Sequence, residues 1–301
     1  MLDQERYRQL MLIIHSGLFV GCFIFTFNVW SADQACYMVP CEDEHVFERK
    51  IWKVDDWTVF SSVLSGLWCS AVAAFGGGFA TAGFDDTVRF CDGAAYDAEV
   101  KVDGQPKGLA ALGGDNLAVA TTKGLAIVSK GATFAGVVKF EAVAWDATAL
   151  AAAPDGSKFA VGAKDGAIRV FDASLAEVAA LPPQRGEITA LAWSPDGSKL
   201  AAGDADREIK VYDASAGFAV VVQNLWRFHT ARVTALAWSP DSMFLASSSN
   251  DESIFYWSLA NPQKSAHKYD FTHKDGTTAL AFLGGNVVSA GNDACVCLWT
   301  V

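Results

Sequence analysis

Residues 233–257 read VTALAWSPDSMFLASSSNDESIFYW. An apolar run, 233–238, and the strand that opens at Leu245 flank the Ser-Pro-Asp turn, and a further apolar run, 254–257, follows Asn-Asp-Glu-Ser. Pro presets φ and Asp hydrogen-bonds the backbone beyond it, so each polar cluster is a turn and each apolar run a short strand. The same sentence is written elsewhere. ITALAWSPDGSKL starts at Ile188, ATALAAAPDGSKF at Ala147 and the degenerate TTALAFLGGN at Thr277. The second hairpin recurs more widely still, from FATAGFDDTVRFCD at Phe79 to VVSAGNDACVCLWT at Val287, with LAVATTKGLAIVSK, FAVGAKDGAIRVFD and LAAGDADREIKVYD between.

The seventh position of these six hairpins is Asp85, Lys123, Asp165, Asp206, Asp251 and Asp293, at spacings of 38, 42, 41, 45 and 42 residues. A period near 42 with strand–turn–strand–turn–strand in each unit fits the four-stranded blade of a β-propeller. The expected fold is therefore all-β, with six recognisable blades and a partial seventh. The fourth strand of each unit, such as FAVVVQNL from Phe218, is less apolar, as a strand facing solvent on one side would be. The chain stops after the third strand of its last unit, so a strand from the N-terminal side is expected to complete that sheet. Trp57-Thr58-Val59-Phe60 is one candidate. Glu48–Val54, ERKIWKV, is read instead as the third strand of an incomplete earlier blade.

Composition agrees with a large packed core. Of 301 residues, 51% are hydrophobic and 19% charged, which excludes a disordered chain. The formal charge of −11 provides no field for phosphate backbones, so nucleic acid is not an expected partner. Seven cysteines, Cys22, Cys36, Cys41, Cys69, Cys91, Cys295 and Cys297, form no framework and read as thiols of a reducing compartment. Residues 1–44 carry no repeat and form a hydrophobic extension ahead of a propeller at 45–301. Within it, Leu10–Trp30 is a run of twenty-one residues without Asp, Glu, Lys or Arg, long enough to span a bilayer. Arg6 and Arg8 precede it and would stay cytoplasmic. A transmembrane anchor, a signal peptide with a poor cleavage site, a pair of core strands and an aberrant gene start all fit that run, the last being the favoured account.

The units resemble WD repeats, whose pattern sets a His before the first strand, an Asp in the second hairpin turn and a Trp on the third strand. Two units match it: His229, Asp251 and Trp257, then His273, Asp293 and Trp299, with Ser247 and Ser289 at the strand hydroxyl position. The resemblance implies a structural relay from indole to hydroxyl to imidazole to carboxylate. Earlier units degenerate, with Gln184 for His and Tyr212 for Trp in the fourth, Phe171 for Trp in the third, and Lys123 for Asp in the second.

The run Trp226-Arg227-Phe228-His229-Thr230-Ala231-Arg232-Val233, followed by Trp238-Ser239-Pro240-Asp241, is similar to the corresponding blade of the actin-interacting protein 1 family. NVVSAGNDACVCLWTV resembles that family's last blade, and the likeness extends over roughly residues 48–301. It implies a non-enzymatic protein of the cytoplasmic actin cytoskeleton, which works with cofilin in disassembling filaments. The family has two linked propellers, and this chain has room for the second alone. The other reading is a generic WD-repeat scaffold of a multiprotein complex, tethered to a membrane if residues 10–30 span one. The expected interaction rim, where the Asp turns and the His loops meet, comprises Arg185, Glu187, Arg207, His229, Arg232, Asn250, Lys274 and Asn292.

No enzyme constellation stands beside these features. Gly-x-Ser-x-Gly, the Walker loop and His-Glu-x-x-His are all missing from the sequence. Gly76, Gly77, Gly78 and Gly83 sit in a repeat hairpin without dinucleotide spacing. Cys295 and Cys297 share a strand face, with no second Cys or His pair to complete a metal site. The Asp series follows structural register, and His229 and His273 read as relay members. His15, His45 and His267 carry no motif. No catalytic residue, cofactor site or metal site is therefore expected.

Overall fold

The computed structural model describes residues 50–53, 69–75, 78–92, 95–131, 135–263, 265–293 and 295–300. Among them there is no helix, and the strands form six four-stranded antiparallel sheets. Blade 1 is β2 (Cys69–Phe75), β3 (Gly78–Gly83), β4 (Thr87–Asp92) and β5 (Ala95–Lys101). Blade 2 is β6 (Pro106–Ala111), β7 (Asn116–Thr121), β8 (Gly124–Lys130) and β9 (Ala135–Ala142). Blade 3 is β10 (Ala147–Ala152), β11 (Lys158–Ala163), β12 (Ile168–Asp172) and β13 (Glu177–Leu181). Blade 4 is β14 (Ile188–Trp193), β15 (Lys199–Asp204), β16 (Ile209–Asp213) and β17 (Ala219–Trp226). Blade 5 is β18 (Val233–Trp238), β19 (Phe244–Ser249), β20 (Ile254–Ser258) and β21 (Ser265–Tyr269).

Blade 6 has three consecutive strands, β22 (Thr277–Leu283), β23 (Asn286–Gly291) and β24 (Cys295–Trp299). Its fourth is β1 (Lys50–Lys53), antiparallel to β24 with Lys50 opposite Leu298 and Lys53 opposite Cys295. The N-terminal side thus completes the last blade, but through Lys50–Lys53. This corrects the reading of Glu48–Val54 as the third strand of an earlier blade, because KIWK finds its partner on the open edge of β24. Trp57–Phe60 and the 10–30 segment lie outside the described residues. No helix among the described residues is long and apolar enough to cross a membrane.

The blades stack through their faces. Along each strand, successive side chains point to opposite faces, so both neighbours share every sheet. Ala202 and Tyr212 pack with Ala160, Ile168 and Val170 of blade 3, whereas Ala201 and Val211 pack with Val233, Leu245 and Trp257 of blade 5. Inner strands contact each other in the order β2, β6, β10, β14, β18, β22. The second strand of the blades, such as β7, β11, β15 and β19, reads as a near-continuous buried run instead of a clean alternation, because both of its faces are covered.

One rim is stitched by backbone hydrogen bonds. The turn joining the second and third strands of a blade donates to the loop entering that blade: Lys164 N–H to Asp146, Ala205 to Glu187, Asn250 to Arg232 and Asn292 to Gly276. The same turn accepts from the loop entering the next blade: Val102 N–H to Asp86, Val143 to Lys123, Gln184 to Gly166 and Thr272 to Glu252. Backbone groups of surface loops are satisfied this way without water. Asp86, Gly166, Arg207 and Glu252 occupy one position of these turns, and all have φ between 60° and 81°.

Candidate interaction rim and structural relay

In blade 5 the relay runs outward from the core. Trp257 Nε1–H donates to Ser247 Oγ at 2.8 Å, and Ser247 lies 2.9 Å from His229 Nε2. His229 Nδ1 faces Asp251 Oδ2 at 3.1 Å. An indole N–H only donates and an ionised carboxylate only accepts, so the order of donors assigns the ring proton to Nδ1 and leaves Nε2 to accept from Ser247. Asp251 is then gripped by Thr230 N–H at 2.6 Å, Ser253 N–H at 3.0 Å and the Ser253 hydroxyl at 2.6 Å. Burial alone would raise the Asp251 carboxyl. The hydrogen bonds from His229 and Ser253 outweigh it and hold the group well below the usual carboxylate range.

Blade 6 repeats the geometry. Trp299 Nε1 is 2.8 Å from Ser289 Oγ, Ser289 is 2.7 Å from His273 Nε2, and His273 Nδ1 is 2.8 Å from Asp293 Oδ1. Burial pushes Asp293 up, and its bond to His273 more than reverses this. Both histidines and both serines are buried. Gly291 is needed beside this relay, since a Cβ there would stand 2.3 Å from the His273 ring.

The other blades hold their turns differently. Asp85 of blade 1 is paired with Arg89 and accepts from Thr87 at 2.7 Å, which keeps its carboxyl low. Lys123 of blade 2 pairs with Asp103 at 2.5 Å. Asp165 of blade 3 accepts from Ala167 N–H at 2.9 Å. Asp206 of blade 4 is exposed. That blade has Gln184, Ala202 and Tyr212 where blade 5 has His229, Ser247 and Trp257, and no relay forms.

Some contributors escaped the sequence reading. Ser253 bridges His229 Nδ1, at 3.2 Å, and Asp251. Trp226 stacks on Trp257 with centroids 5.1 Å apart and 19° between planes. Its Nε1 donates to the Pro262 carbonyl at 2.8 Å. Serine is too common in turns to be picked out, and Trp226, though it opens the 226–233 run, lies on an outer strand where no repeated Trp points to its stacking on Trp257.

The proposed rim residues are mostly accessible. Arg185, Arg207, Arg232, Asn250, Lys274 and Asn292 are exposed and Glu187 is half-buried. His229 is the exception: at 2% exposure it offers no surface, so its place on the interaction rim is corrected to the relay alone. Its ring is turned inward by the bonds to Ser247 and Asp251. Two exposed aromatics join the rim instead, Phe228 at 54% and Phe271 at 79%. Phe228 rests on Trp257 and Phe255, with centroids 5.7 and 6.1 Å away. Phe271 has φ of 54°, a strained region for a bulky side chain. Among the described residues, no group of three or more His, Cys, Asp or Glu is placed to hold a metal. Cys297 is buried with Sγ 3.9 Å from the Thr272 carbonyl, and Cys295 is half-buried beside Asp293.

Comparison with known proteins matches this geometry to sequence. The WD domain, G-beta repeat family model matches residues 142–172, 177–213 and 221–258, which run from the end of blade 2 to the third strand of blade 5. The chain is 35% identical over 224 residues to the 66 kDa stress protein of Physarum polycephalum, covering 72% of this chain and 36% of that one. It is 33% identical over 248 residues to the Drosophila melanogaster actin-interacting protein 1, covering 77% of this chain and 38% of that one. The chain thus spans well under half the length of both relatives. A solved structure, the crystal structure of the mitotic checkpoint complex, aligns with a TM-score of 0.66 at 19% identity, over 78% of this chain and 75% of the other. That likeness concerns the fold. A WD-repeat propeller is typically a non-enzymatic protein-interaction scaffold.

Proposed function

This chain is a WD-repeat β-propeller similar to actin-interacting protein 1, and from that premise we propose that it binds actin filaments carrying cofilin and promotes their disassembly. The work is done by contact, without catalysis, in the cytoplasm at the actin cytoskeleton. The observation that supports this reading is the rim segment 226–233. Trp226 anchors it in the core, while Arg227, Phe228 and Arg232 are presented to solvent. Exposed Arg and aromatic groups on a rigid scaffold are the residues that dominate protein interfaces. A net charge of −11 gives no long-range attraction to an acidic filament, so binding rests on these local groups.

The chain spans little more than a third of each relative, and linked modules gain affinity through effective concentration. Weak, cofilin-dependent binding is therefore expected, with little binding to bare actin and slow disassembly by this chain alone. Cosedimentation with and without cofilin tests it. Arg232→Glu should reduce cofilin-dependent pelleting while leaving the thermal melt in place, because Arg232 is exposed just before β18. A folded wild-type protein that shows no cofilin-dependent pelleting at high micromolar concentration overturns the reading in favour of a WD-repeat scaffold for another complex.

A further inference from the structure

Blade 4 buries charge where blades 5 and 6 bury a relay. Asp204 is fully buried, Glu208 is 2% exposed, Lys210 7%, Gln184 5% and Tyr212 fully buried. They converge on the seam with blade 3. Asp204 ends the β15 face that carries Leu200 and Ala202, and Lys210 alternates with Tyr212 on the β16 face. Four of their oxygens have no hydrogen-bond partner: Asp204 Oδ2, Glu208 Oε1, Gln184 Oε1 and the Tyr212 hydroxyl.

The nearest ammonium serves one carboxylate. Lys210 Nζ stands 3.9 Å from Glu208 Oε2. Asp204 has the Glu208 N–H on Oδ1 at 2.8 Å, and nothing on Oδ2. The groups around it do not supply a cation. β16 offers Lys210, already beside Glu208, and neutral Tyr212. The turn offers Asp206 and Arg207, and the entering loop Arg185 and Glu187. Of these, Asp206, Arg207 and Arg185 are exposed. β12 of blade 3 presents Ile168 and Val170. In the turn before β12, the Gly166 carbonyl accepts from Gln184 N–H at 2.9 Å.

We propose that Asp204 carries a proton in the folded protein, and that losing it as pH rises loosens the seam between blades 3 and 4. Three of the four unpaired oxygens can only accept, and the Tyr212 hydroxyl is the single donor among them. A proton on Asp204 Oδ2 adds a second donor and removes a buried negative charge that no cation faces. Burial, reinforced by the negative charge of Glu208, outweighs the backbone hydrogen bonds from Glu208 and Gly186 and raises the Asp204 carboxyl. The sign follows: a carboxyl raised above its unfolded value favours folding below the ordinary Asp range, and that contribution is lost as pH climbs to the folded value.

The test uses the full chain. Infrared spectra at neutral pH should show a protonated carboxyl band that Asp204→Asn abolishes and Asp206→Asn, at the exposed turn, leaves in place. Denaturant unfolding from pH 5 to 8 should show the wild type losing up to about tenfold in folding equilibrium per pH unit relative to Asp204→Asn, the value for one linked proton. Hydrogen exchange in β15 and β16 should rise with pH beyond its intrinsic base dependence. A wild type without the carboxyl band, or with a pH profile parallel to that of Asp204→Asn, overturns the proposal. If Asp204→Asn does not fold, the wild-type band and its loss on raising the pH decide alone.

Discussion

Trp238 Nε1 donates to the carbonyl oxygen of Ala192 at 3.0 Å, tying the inner strand of blade 5 to the inner strand of blade 4. Trp193 makes the same tie one blade earlier, to Ala151 at 3.2 Å. Most blade-to-blade contact is apolar and without direction, so these bonds fix the height at which inner strands meet. Trp238→Phe keeps most of the ring and removes the donor. It should cost about 1 kcal/mol in denaturant unfolding. Trp193→Phe should cost a similar amount, and an unchanged midpoint for both would show the ties to be without net effect.

Asp251 and Asp241 differ in what they leave behind. Removing the Asp251 carboxylate strips acceptors from His229, Thr230 N–H and Ser253. Asp251→Ala should cost on the order of 1–3 kcal/mol. Asp241 is exposed and serves Ser239 and the Met243 N–H, where water can take its place. Asp241→Ala should cost much less, and equal losses at the two sites would contradict the relay.

The relay carboxylates also set acid sensitivity. Asp251 and Asp293 lie below their ordinary value, chiefly because the bonds to His229 and His273 overcome burial. Their contribution is present above the ordinary Asp range and is lost as pH falls through it to the folded values. Stability should therefore drop below about pH 4, and Asp251→Asn should flatten that limb. Unfolding curves from pH 5 to 2 check this, an unflattened limb being the contrary result.

Phe271 combines 79% exposure with a φ of 54°. A left-handed residue other than glycine is strained by about 1 kcal/mol, and here little burial offsets it. Phe271→Gly should leave the melting midpoint unchanged or raise it. If this side chain serves the interface, the same variant should weaken cofilin-dependent cosedimentation. A clear fall in stability would mean that the ring packs where it is exposed in this structure.

Much of this is legible in the sequence. The hairpins announce themselves through three Pro-Asp turns, at 154–155, 195–196 and 240–241, and through an Asp at the seventh position in five of the six, because a turn residue has a local conformational reason. The two relays are legible where His229, Ser247, Asp251 and Trp257 stand together, because each needs the next. The closing strand is not. Lys50–Lys53 has no repeat signature, and its partner lies at the other end of the chain. Asp204 and Glu208 were missed for a similar reason. At strand ends, acids look like turn residues, and only the neighbouring blade seals them from water. The repeat pattern puts His229 on both relay and rim, and the inward bonds of its two nitrogens leave room for one.

The pairing of β1 with β24 sets a schedule for assembly. Lys53 and Cys295 are partners across about 240 residues, and closing so long a loop costs only ~1.6 kcal/mol more than closing one of about 40 residues. Time is the harder constraint. On the ribosome, Lys50–Lys53 emerges with the first blade and waits until the last strand is made. Meanwhile each completed blade shows an apolar face, and β24 at the end has an unpaired edge. Folding should thus end with a single late event that seals blade 6. A chain cut short before Cys295 should be recognised by chaperones far more than its small loss of sequence suggests.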